Sequence, residues 1–99
     1  MEFKELQKRL WANMLISTES YRKGELRYSD FVYGLEGSLD AGEYQDKELI
    51  EQWYNLWTPL EILSATKGDS TTVEDADKYL LEMETFLKSK SDFRFQEEE

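Results

Sequence analysis

Apolar residues recur at helical spacing through most of this chain. Over 2–21, Phe3, Leu6, Leu10 and Met14 stand at i, i+3, i+7 and i+11, with Trp11 and Ile16 widening the stripe. The pattern predicts a helix near 2–22, closed at Lys23-Gly24 by a glycine in the left-handed cap position. A second helix is predicted near 29–42. Ser29 offers a capping hydroxyl, Asp30 sits beside the positive helix end, and Phe31, Val32, Leu35 and Leu39 form the apolar set. Gly34 and Gly37 lie inside it and point to close helix approach or to local softness.

The third helix is predicted near 46–67. Leu49, Trp53, Leu56, Leu60 and Leu63 repeat in steps of four and three, and Ile50 and Trp57 flank that seam. Pro59 removes one backbone donor and crowds the turn before it. Thr58-Pro59-Leu60-Glu61 also fits a new helix start. Two outcomes stand: one helix kinked at Pro59, or two helices meeting at Thr58. The unbroken seam favours the kink. After the loop Lys67-Gly68-Asp69-Ser70, a fourth helix is predicted near 72–90, with Val73, Ala76, Leu80, Met83 and Leu87 inward. Thr71 with Glu74 and Thr72 with Asp75 are competing capping registers; only the first has the usual Glu. No stretch alternates with period two. The expectation is an all-α, up-down antiparallel four-helix bundle over 1–91 with an acidic tail, 92–99, expected to be mobile. Three-helix packing around an irregular second helix is the alternative.

Composition narrows the functional classes. The chain has 99 residues, enough for one domain and no large cofactor cavity. It has no Cys and no His, so thiolate chemistry, disulfides and the commonest general base and metal ligand are missing. The N-terminus is charged from Glu2, unlike a signal peptide, and no apolar run is long enough to span a bilayer. These features lead us to expect a cytoplasmic protein. Formal net charge is -10, which disfavours direct contact with nucleic acid or anionic membranes and favours a basic protein partner. Residues 1–27 hold six bases and four acids, a balance of +2, so 28–99 carries -12.

The most suggestive constellation lies on the second predicted helix and its exit. Glu36, Asp40 and Glu43 stand at i, i+4 and i+7, followed by Asp46, Glu48 and Glu51, with Tyr33, Tyr44 and Tyr54 close in sequence. Carboxylates pair with Arg or Lys, and tyrosine rings supply rigid contact area, so Tyr33, Glu36, Asp40, Glu43, Tyr44, Asp46, Glu48 and Glu51 are the expected partner-binding residues. The plain alternative is a solvated face, with Asp46 and Glu48 complementing a helix start. A carboxylate metal site is conceivable, but no calcium loop, phosphate loop or nucleophile elbow is present. No catalytic residue, metal or cofactor is expected.

The leading expectation is a non-catalytic protein-binding module. In size, acidity and helical character the chain resembles the small helical immunity proteins that protect bacteria from nuclease bacteriocins. Their paired tyrosines followed by proline are absent, and Trp57-Thr58-Pro59 is the nearest feature. The resemblance implies an antitoxin that covers a basic cleft with carboxylates. The alternative is an adaptor or regulatory subunit acting through the apolar face of the third helix, as a monomer or homodimer.

Overall fold

The structure, a computed structural model, describes residues 3–90. The tail 92–99, with the mobility expected of it, lies outside those residues. Among the described residues four α-helices follow in order: α1 (Glu5–Arg22), α2 (Tyr28–Gly42), α3 (Lys47–Lys67) and α4 (Val73–Lys90), with a 3-10 turn at Gly68–Ser70. Each helix packs against its two neighbours around the ring, α1 on α2 and α4, and α3 on α2 and α4. The result is the four-helix bundle that the periodicity predicts.

Buried polar atoms set the antiparallel register. Near the start of α1, Gln7 Nε2 donates to the Gly42 carbonyl at the end of α2 (2.9 Å), and Trp11 Nε1 donates to Leu87 O near the end of α4 (2.9 Å). At the opposite end of the bundle, the Tyr21 hydroxyl donates to Thr71 O (3.1 Å) and the Tyr28 hydroxyl to Leu60 O (2.7 Å). Midway, Trp57 Nε1 donates to Val32 O (2.9 Å). Each bond satisfies a buried donor that would otherwise cost about 1–3 kcal/mol, so sliding a helix by one turn would orphan several donors together. Arg22 adds an outer clamp from α1 to α4, forked onto Glu84 (3.1 Å) and reaching Asp77 (3.0 Å).

The stripe that α1 buries differs from the expected one. Gln7, Trp11, Met14, Thr18 and Tyr21 face the core, while Leu6 and Ile16 are 52% and 60% exposed. Apolar residues are sparse here, so two faces compete. The winning face carries the two largest rings, and its polar members are satisfied locally: Gln7 Oε1 accepts from Lys4 N, and the Thr18 hydroxyl donates to Met14 O.

The helix ends also show corrections. Gly24 closes α1 at φ 79°, as expected. The N-cap of α2 is Arg27 rather than Ser29, and the Ser29 amide is met by Asp69 Oδ1 across the chain (2.9 Å). That backbone bond holds the Asp69 carboxyl below the usual carboxylate range. Thr72 and Asp75, not Thr71 and Glu74, form the reciprocal cap of α4 (3.1 and 3.0 Å). Thr71 is unavailable because it is buried and its hydroxyl closes back onto Gly68 O (2.8 Å). Pro59 lies within a single helix from Lys47 to Lys67, so the chain is not split at Thr58.

The glycines of α2 make a signed prediction. A Cβ at Gly34 or Gly37 would meet nothing within 4 Å, so neither serves close helix approach. A Cβ at Gly42 would overlap the Tyr44 ring. Gly34→Ala and Gly37→Ala are each expected to stabilise the chain by about 0.5–1 kcal/mol through helix propensity. Gly42→Ala is expected to destabilise it by about 1–3 kcal/mol through overpacking. Thermal melts of the three variants check both signs.

Candidate functional site

The acidic residues singled out above spread over two helices, and the bundle brings only some of them together. On α2 the buried residues are Tyr28, Phe31, Val32, Leu35, Leu39 and Gly42. At 100° per residue, Tyr33, Glu36 and Asp40 then share one flank of that helix. Tyr33 is half exposed at 50%, Asp40 is exposed, and Glu36 is partly covered. Across the seam on α3, Ile50 and Tyr54 occupy the facing flank. The Tyr54 hydroxyl donates to Glu36 Oε2 (3.0 Å), joining the two helices. A shallow cleft of about 180 Å³ runs beside this bond, lined by Leu39, Asp40, Glu43, Tyr44, Ile50 and Tyr54. Tyr54 therefore shares this face with Glu36, although its sequence position pointed only to proximity.

Glu43 follows α2 in a left-handed conformation, φ 49° and ψ 49°, which glycine adopts more easily. Its side chain is exposed and borders both the shallow cleft and a larger groove. Asp46 is partly covered and caps α3, accepting from Leu49 N (3.1 Å), so its carboxylate is already committed. Glu48 and Glu51 are exposed on α3 away from the core, and Glu51 lies next beyond Tyr54 around the helix.

Tyr44 requires a correction. It is expected on the binding surface, but only 7% of it is exposed. Its hydroxyl donates to Gln7 O (2.9 Å), and its ring packs edge-on against Phe3 (5.2 Å) and Trp11 (5.5 Å). An amphipathic ring beside a helix end serves core or surface equally well; the opening left by Gly42 decides for the core.

Among the described residues the acids of this face form no ion pair, and neither do Glu5, Glu25, Glu61, Glu74 and Glu82 elsewhere. Among the described residues, ion pairs take up Glu19, Asp30, Asp75, Asp77 and Glu84. None of them involves Glu36, Asp40, Glu43, Asp46, Glu48 or Glu51. The acids of α4 are partly neutralised by Arg22 and Lys67. Among the described residues no three carboxylates form a group able to hold a metal ion, and no helix is long and apolar enough to cross a membrane.

The tyrosines give the fold an alkaline limit. Burial pushes the Tyr44 phenol up to about 12. Burial, and then the neighbouring Glu36 and Asp40, raise Tyr54 to about 12 as well. Both phenols titrate near 10 when unfolded, so folding favours the neutral form. Their contribution is fully present below pH 10 and is lost as pH rises from about 10 to 12. Circular dichroism melts alongside tyrosinate absorbance should show unfolding in that window, and Tyr54→Phe should shift it upward. An unchanged melting temperature across the window would contradict the assignment. No family model, curated protein or solved structure matches this chain at a significant level.

Proposed function

We propose that this chain is a non-catalytic protein-binding module of the cytoplasm, of the immunity or antitoxin kind, that neutralises a basic toxin such as a nuclease. The observation that carries the reading is the α2–α3 face. Glu36, Asp40 and Glu43 stand there unpaired by the chain's own described bases, beside a half-exposed Tyr33 and next to Tyr54. Carboxylates at this density would occupy the phosphate positions of a basic cleft, and the surplus charge would steer association. Tyr33 supplies the rigid ring that anchors such contacts. Leu49, Trp53, Trp57 and Leu60 of α3 are core residues, which favours this reading over an adaptor acting through the apolar face of α3.

Capture from the native host with the intact chain tests the proposal. A basic protein should be retained at low salt and released as salt rises, because exposed charges are screened beyond roughly 10 Å at 0.1 M ionic strength. If that protein is a nuclease, one equivalent of the chain should abolish its activity. A captured partner that ignores salt, or that binds equally well after charge reversal on α2, would overturn the reading.

A further inference from the structure

The cleft of about 180 Å³ between α2 and α3 mixes two chemistries. Leu39, Ile50 and Tyr54 give it hydrocarbon and ring, and Asp40 and Glu43 give it carboxylates. We propose that it is a pocket for one arginine side chain of the partner protein. The inference rests on reading the α2–α3 face as a partner surface, and it names the group that seats there.

The lining selects a side chain with an apolar stem and a cationic tip. Leu39 is buried, and Ile50 and Tyr54 are partly covered, so this part of the wall is already held in place by the core. Asp40 and Glu43 are exposed, and neither belongs to an ion pair among the described residues. Lys and Arg bury their methylene stems on apolar surface and keep the charged head at its edge, which matches this division. Unpaired acids also stand on α4, Glu74 and Glu82 among them; the apolar wall beside Asp40 and Glu43 turns a pair of charges into a seat for a side chain. Tyr54 favours arginine over lysine. Its hydroxyl donates to Glu36 Oε2 (3.0 Å), and its ring stands edge-on to Trp53 (5.0 Å) and Trp57 (5.7 Å). The ring is therefore fixed before a partner arrives, and little ordering is lost on binding. A planar guanidinium stacks on such a ring and forks onto carboxylates, whereas an ammonium is a compact, strongly hydrated point charge.

Titration of the intact, isotope-labelled chain with acetyl-Gly-Arg-Gly-amide, followed by NMR, tests the pocket. The Leu39 and Ile50 methyls and the Tyr54 ring should shift together. The lysine counterpart should bind roughly fivefold more weakly, since it offers neither fork nor stack, and the neutral citrulline counterpart should not bind. Asp40→Asn with Glu43→Gln should abolish the shifts while the rest of the spectrum shows the fold intact. Glu74→Gln with Glu82→Gln removes the same charge from α4 and should leave the shifts in place. No shift at Leu39, Ile50 and Tyr54, equal affinity for the lysine or citrulline peptide, or equal weakening by both double variants would overturn the proposal. The two failures are distinct: capture of no basic protein from the host removes the partner, whereas an empty cleft in this titration removes only the arginine.

Discussion

Trp11→Ala is expected to lower stability by about 3–5 kcal/mol, the usual cost of deleting a large buried ring. Trp11 is 1% exposed and joins three parts of the bundle. Its ring packs on Phe3 (5.2 Å), Tyr44 (5.5 Å) and Phe86 (6.0 Å), and its indole N–H donates to Leu87 O (2.9 Å). The loss therefore loosens α1, the α2–α3 connection and the end of α4 together. For a domain of this size the melting temperature should fall by on the order of 15–25 °C. Because domain stability is only about 5–15 kcal/mol, the variant approaches the folding threshold. Trp11→Phe keeps much of the packing, loses the hydrogen bond and should cost about 1–2 kcal/mol. Trp53→Phe is the control: the buried Trp53 indole N–H has no hydrogen-bond partner among the described residues, so its removal sacrifices none there. Equal costs for Trp11→Phe and Trp53→Phe in thermal or denaturant melts would show that the Leu87 bond contributes nothing.

Reversing charge at Glu36, Asp40 and Glu43 together should weaken partner binding by about 100- to 1,000-fold, at roughly 1 kcal/mol or more per rim charge. The loss should fall mainly on the association rate and shrink at high salt, since in the proposed role these carboxylates would act by steering and rim pairing. The fold should survive, because none of the three has an ion pair among the described residues to lose; only the Tyr54–Glu36 bond breaks. Glu43→Gly is the sharper single test. Glycine relieves the φ of 49° and should raise stability by about 0.5–1 kcal/mol, while the lost carboxylate weakens binding. Stability and affinity moving in opposite directions would mark Glu43 as held for recognition. Both rising together would remove it from the site.

Local spacing made the helices legible. Leu49, Trp53, Leu56, Leu60 and Leu63 favoured one helix through Pro59 over two meeting at Thr58, and Lys23-Gly24 announced a helix end. These signals depend only on residues three and four apart, so sequence suffices for them. The acidic character of the α2 exit was equally plain, because charge is additive and needs no geometry.

Tertiary packing alone decided which atoms meet across the bundle. Helical spacing left α1 with two usable stripes, and the bonds from Gln7 to Gly42 and from Trp11 to Leu87 go with the one that buries Gln7 and Thr18 while exposing Leu6 and Ile16. Asp69 meets Ser29, Tyr54 meets Glu36, and Tyr44 enters the core for the same reason: each contact joins residues far apart in sequence, in a register set by buried donors and one open glycine. Short-range periodicity tells a helix which faces it has; only its neighbours' unpaired carbonyls and free volume choose the face it turns inward.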